Sequence, residues 1–190
     1  MKGKPAQTEL AVLGALSVEA ASGYALRESI RDVLGHFWSE SFGQIYPALT
    51  ALEVKGHITR SDGSRAGSSV FTITDAGTRR LRELLGEPAQ ATPPRNGVLL
   101  RLFFGRQLGV PGCRDLLMTS RADAERRLAE YEALIEMVSA DAEHAADRPF
   151  WLLTVSAGQH TARATIAWAT EALAVLDDLA DPTDVPTTDT

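Results

Sequence analysis

Cysteine is almost absent from this chain of 190 residues: Cys113 stands alone. A single thiol excludes an intrachain disulfide and any zinc site built on paired thiolates, and it leaves no resolving partner for a redox switch. Histidine is scarce as well. His36, His57, His144 and His160 stand far apart and form no H-x-x-x-H spacing, so no metal and no cofactor is expected. Long hydrophobic runs are missing. The longest, Leu10–Leu16, has 7 residues, too few to span a bilayer. Lys2 and Lys4 before that run and Glu19–Ser22 after it imitate a signal peptide, but the core is short and Glu9 and Glu19 bracket it. A cytoplasmic protein is expected. There is no surplus of positive charge either: the net charge is −6. Residues 1–90 hold 10 basic and 10 acidic side chains, and residues 91–190 hold 9 and 15. The second half is therefore a poor match for nucleic acid. The first half can bind it only through where its basic residues sit.

What is present is an ordinary globular balance, 44% hydrophobic and 23% charged, at a length that suits one domain or two small ones. Residues 8–35 read as two helices. Thr8 is placed to cap the first, whose face carries Leu10, Val12, Leu13 and Leu16. Ser22 is placed to cap the second, which buries Tyr24, Leu26, Ile30 and Val33–Leu34 and ends near Gly35. A third helix follows Ser41. Ser41 and Gln44 have capping-box spacing, Phe42, Ile45, Leu49 and Leu52 recur on one face, and Gly56 suits a left-handed cap. Ile58–Arg60 and Val70–Ile73 then read as a hairpin around Asp62-Gly63 and Gly67–Ser69. Thr74-Asp75 opens a fourth helix through Leu81, Leu84 and Leu85, stopped by Gly86 and Pro88.

Three helices, a hairpin and a helix are the order of a winged helix-turn-helix, assigned to residues 1–87. A linker is expected over residues 88–95, a helical dimerisation domain over 96–180 and a disordered tail over 181–190. The fold class is thus mainly α with a small β-hairpin. In the second half Val98–Leu108 reads as a short helix, and Pro111 as the first residue of a long one running to about Ala146. Leu117, Ala124, Leu128, Tyr131, Ile135, Val138, Ala142 and Ala145 make a coiled-coil seam on it, broken at Arg121. Past the turn at Pro149, residues from Trp151 through Ile166 and Leu173 to Ala180 repeat the spacing. A helix of about 35 residues extends about 50 Å and leaves a seam exposed. A homodimer is expected to bury it through Leu117, Leu128, Tyr131, Ile135, Val138, Ile166 and Leu173.

Gly23-Tyr24, Phe37-Trp38, Phe42–Leu49 (the run F-G-Q-I-Y-P-A-L), Leu52-Glu53, Gly56 and Phe71-x-Ile73-Thr74-x-x-Gly77 closely resemble the PadR family of bacterial transcriptional regulators. The match covers residues 8–85, and the second half is similar to the C-terminal domain of the larger PadR subfamily in length and seam. The resemblance implies a dimer that binds double-stranded DNA, usually as a repressor, often released by a small aromatic or drug-like ligand. It departs from the family at one point: Ser41–Leu52 contains no charge, where a basic residue is common.

Opposite the buried face of the third helix the spacing puts Ser41, Gln44, Ala48 and Ala51, with Tyr46 and Thr50 at the side. Gln44 can bond bidentately to adenine, and Ala48 can touch a thymine methyl. Phosphate contacts then fall to the flanks, Lys2, Lys4, Lys55, Arg60 and Arg65. Tyr46 has two readings, a core ring or a phosphate contact. Arg79, Arg80 and Arg82 read as an exposed helix face. Trp151 and Trp168 are the candidates for stacking an aromatic effector, against ordinary interface packing. Ser39 and Ser41 near His36 lack the strand and the G-x-S-x-G of a hydrolase, and no lysine follows Gly63 or Gly67 at P-loop spacing. A non-enzyme is expected. The competing reading is a winged helix that binds protein through its uncharged third helix and never reads DNA.

Overall fold

The computed structural model describes residues 3–35, 37–38, 42–63, 69–89 and 95–180. The chain divides into two units, residues 1–92 and 93–190. The first unit runs α1 (Gly3–Val18), β1 (Ala21–Ser22), α2 (Gly23–Ser29), α3 (Phe42–Val54), β2 (Ile58–Asp62), β3 (Ser69–Ile73) and α4 (Asp75–Gly86). The expected 3-4 faces are the ones buried: Val12, Leu13 and Leu16 of α1, Leu26 of α2, Ile45, Leu49 and Leu52 of α3, and Leu81 and Leu84 of α4 close one core with Ile58 and Phe71 of the hairpin. Ser22 caps α2 by accepting from the Ala25 N–H at 3.1 Å. Thr74 caps α4 by accepting from Gly77 N–H at 3.1 Å.

Several expectations fail for identifiable reasons. Thr8 is not a cap: α1 begins five residues earlier, at Gly3, and Thr8 is buried within it. Tyr24 is 63% exposed, because the core side of α2 is filled by Gly23 and Leu26. Leu85 is exposed beyond the stripe that Leu81 and Leu84 bury. α2 does not simply run on to Gly35; Ile30–Leu34 is a π-helical stretch. The hairpin carries a third strand, in the order β1-β3-β2, with Ala21 opposite Phe71 and Ser22 opposite Val70.

The second unit is α5 (Gly97–Phe103), α6 (Gly105–Ala140) and α7 (Arg148–Ala180). Asn96 caps α5, accepting from Val98 N–H and Leu99 N–H. α6 breaks at Gly109, whose φ of 75° and ψ of 165° are not helical, and Pro111 follows the break as an early helical residue. α6 and α7 form an antiparallel hairpin: Arg114 pairs with Asp177 near one end and Arg163 with Glu132 nearer the other. Leu117, Ala169 and Leu173 are its buried centre, with Leu102 of α5 and Trp168 packed on them.

α6 stops at Ala140 rather than Ala146, so Ala142 and Ala145 are exposed turn residues and not seam. Asp141 ends the helix by taking up the N–H groups of Glu143 and His144 with its own carboxylate, a local competitor of the helical ladder. Pro149 lies in the first turn of α7, where its missing N–H costs nothing. Among the described residues no helix is long and apolar enough to cross a membrane.

Candidate nucleic-acid interface

The site grows from the end of α3. Gly56 takes φ 70°, its N–H donates to Glu53 O at 2.9 Å, and the His57 N–H donates to Leu52 O at 2.9 Å. These two bonds form a Schellman cap, which turns the chain sharply from α3 into β2. α4 is clamped onto the same turn. Thr74 N–H donates to His57 O at 3.0 Å, and the Thr74 hydroxyl lies 2.8 Å from Gly56 O and 3.0 Å from His57 O. Helix and hairpin are thereby fixed to each other through two residues of backbone.

Ile45, Leu49 and Leu52 face inward, so the helical period puts Gly43, Pro47, Thr50, Ala51 and Val54 outward. All five are exposed, Val54 by 83%. Gln44 and Ala48 lie beside this face rather than on it. With Gly43, Pro47, Ala51, Leu52 and Lys55 they line a groove against Thr8 and Glu9 of α1. Gln44 is exposed there, whereas Ala48 is half-buried and packs on the core, because α1 runs alongside it. Pro47, Ala51 and Val54 are the apolar residues there that are open to the solvent. Thr50 spends its hydroxyl on the Tyr46 carbonyl at 3.2 Å, leaving its methyl outward as well.

Tyr46 lies on the other flank. Its ring packs on Gly23 so closely that a Cβ there would stand 2.8 Å from Cε1, yet the residue is 53% exposed. The two readings of Tyr46 thus combine: an inner edge that packs and an outer edge that is free. Arg60 on β2 is exposed, and its Nε donates to Ser69 Oγ across the hairpin at 2.8 Å. Ser41 and Arg65 lie outside the described residues, as do Lys2 and the side chain of Lys4.

An acid that the sequence did not single out organises the groove. Glu9 on α1 receives Arg80 Nε at 3.1 Å and Lys55 Nζ at 3.6 Å, with His57 Nδ1 at 3.9 Å. Arg80 is therefore no member of an exposed face. Its bonds to Glu9 first and Glu83 second hold the guanidinium more firmly charged than usual. Glu9, Lys55 and Arg80 are separated along the chain by tens of residues, and no local pattern could have joined them.

In the second unit Trp151 and Trp168 do not converge. They are 17 positions apart on α7, about 25 Å at 1.5 Å per residue. The Trp151 ring lies tilted against the His144 ring, centroids 5.3 Å apart, and Trp168 packs against the hairpin centre. Leu117, Val138 and Leu173 are buried within the single chain, and the Tyr131 ring fills the space a side chain at Gly158 would need. Leu117, Val138 and Leu173 thus pack within one chain, and Tyr131 is half-buried. Leu128, Ile135 and Ile166 are half-buried.

Residues 12–83 match the family described as the transcriptional regulator PadR-like family, and residues 94–177 match one described as the virulence activator alpha C-terminal region. The chain is similar to the negative transcriptional regulator PadR of Bacillus subtilis, 29% identical over 138 residues, 70% of this chain and 75% of that one. Among solved structures it resembles Bacillus subtilis PadR in complex with operator DNA, at 23% identity and a TM-score of 0.76 over 88% of this chain and 98% of that chain. It also resembles the same regulator in complex with p-coumaric acid, at 24% identity and a TM-score of 0.75 over 89% and 98%. At these identities the structural likeness is one of fold.

Proposed function

Because this chain belongs to the PadR-like family of transcriptional regulators, we propose that it is a cytoplasmic, non-enzymatic homodimeric repressor that reads a palindromic operator and responds to a small aromatic effector. The observation that carries the reading is the clamp of Thr74 on Gly56 and His57. It sets the open face of α3 beside a hairpin whose Arg60 is exposed and braced. A helix so presented enters the major groove, and a wing so placed meets the backbone or the neighbouring groove. Two copies related by a two-fold axis then meet half-sites about 34–36 Å apart, or a multiple of it. The solved relatives that hold operator DNA and p-coumaric acid support both kinds of partner.

Phosphate neutralisation is assigned to Lys4, Arg60 and Arg65, with Lys55 beside them and facing Glu9, a further phosphate contact to Tyr46, and base contact to Ser41, Gln44 and Thr50 with the apolar residues beside them. The test is affinity for DNA upstream of the chain's own gene against salt concentration. The Arg60→Ala, Arg65→Ala double variant is expected to flatten the slope by about 2, one per phosphate lost, without altering base preference. Slopes that coincide with wild type would take the hairpin off DNA and favour the protein-binding reading.

A further inference from the structure

We propose that Glu9 restrains Lys55 and so holds down the affinity of this chain for DNA; the inference rests on the DNA-binding reading. The carboxylate is mostly buried, its side chain 13% exposed, and its two oxygens have different partners. Oε1 takes Arg80 at 3.1 Å and faces His57 at 3.9 Å, while Oε2 faces Lys55 at 3.6 Å. Arg80 anchors the acid and is itself tied to Glu83 at 3.2 Å. Glu9 therefore cannot swing away when another anion approaches Lys55.

The position of this pair gives it a consequence. α3 carries no basic residue from Phe42 to Val54, so Lys55 is the first cation at its end. Lys55 lines the same groove as Gln44 and Ala51, with its side chain 52% exposed. A phosphate at this groove meets an ammonium already facing a fixed carboxylate, and meets the negative charge of the carboxylate itself. An exposed ion pair alone is weak. Here the acid is held by a second cation, so the competition is for Lys55 only. Glu9→Gln keeps an oxygen for Arg80 and removes the charge.

The experiment measures binding of a random-sequence duplex and of the upstream duplex by wild type, Glu9→Gln, Lys55→Ala and the double variant, across salt, with melting temperatures alongside. Glu9→Gln is expected to bind more tightly at low salt with a slope steeper by about 1. Its advantage over wild type then shrinks about fourfold between 50 and 200 mM salt. Lys55→Ala should change the slope by less than about half in the wild-type background and by about 1 in the Glu9→Gln background. An unchanged slope in Glu9→Gln overturns the restraint, and so does weaker binding that follows a lowered melting temperature. Should Glu9→Gln fail to fold, Lys55→Ala alone decides: a full unit of slope lost from wild type means that Lys55 is already free. Absence of salt-dependent binding in all four proteins overturns the DNA reading itself, and the restraint with it.

Discussion

Gly77 has no side chain because the His57 carbonyl oxygen occupies the space that one would take. Gly77→Ala must push α4 off the α3–β2 turn, and thermal unfolding should show a loss of about 1–3 kcal/mol or more, the usual cost of overpacking. Wild-type stability in this variant would mean that the clamp does not fix helix to hairpin. Gln44 makes the opposite case, an exposed residue whose loss should cost the fold no more than the capping box that its spacing from Ser41 allows. It is exposed at the groove, and Gln44→Ala should cost about 1–3 kcal/mol on the preferred operator and relax choice at one base pair. A base-preference profile identical to wild type would remove it from the reading face. Gly77 was legible as a motif position and its reason was not, since the carbonyl it accommodates belongs to a residue twenty positions earlier. For Gln44 the residue was legible, but its side of the helix depended on α1, which no spacing within α3 reports.

Elements were legible where a local period decides them. Ile45, Leu49 and Leu52 predict α3, and Ile58–Arg60 with Val70–Ile73 predict the hairpin, as found. They were not legible where a distant partner decides. β1 has two residues and exists only because β3 lies beside it. The end of α6 was missed because Ala142 and Ala145 suit a helix; the Asp141 carboxylate draws the chain away. That turn titrates. His144 Nδ1 lies 2.9 Å from Asp141 Oδ2, and this bond above all raises the His144 pKa and lowers that of Asp141. The histidine's contribution is full below its ordinary value of about 6.5 and is lost as pH rises through the raised value. The aspartate's contribution is present above about 3.9 and is lost as pH falls through its lowered value. NMR titration should place His144 above an ordinary histidine, and Asp141→Asn should bring it back. A His144 titration at or below the ordinary value would mean that the pair does not form in solution.

At the scale of the whole molecule, three residues of the seam expected between two copies, Leu117, Val138 and Leu173, are already buried inside one. Leu117 is 1% exposed, held between Leu102 of α5 and Ala169 and Leu173 of α7. Leu117→Ala should therefore cost about 2–5 kcal/mol of folding and act on the hairpin itself. The apolar surface left over lies elsewhere. Leu99, Leu100, Phe103 and Phe104 are all at least half exposed around α5, with Phe103 at 83%. Leu108, Val175 and Leu179 are exposed on the α6 and α7 segments toward that end of the hairpin. Scattered exposed leucines are ordinary, but a run of four in six residues on a capped helix is a patch that soluble monomers rarely leave open. A second copy is the partner that the proposed palindrome requires. Phe103→Asp should then raise the dimer dissociation constant by about tenfold or more, since about 1.4 kcal/mol suffices and an unpaired carboxylate in an apolar interface costs at least that. Its helix content should stay that of wild type, because the ring touches little of its own chain beyond Phe104. Sedimentation at micromolar concentration separates the outcomes. A wild-type monomer would remove the dimer and the palindrome with it. A Phe103→Asp dimer as tight as wild type would move the contact away from α5, back toward the half-buried Leu128, Ile135 and Ile166.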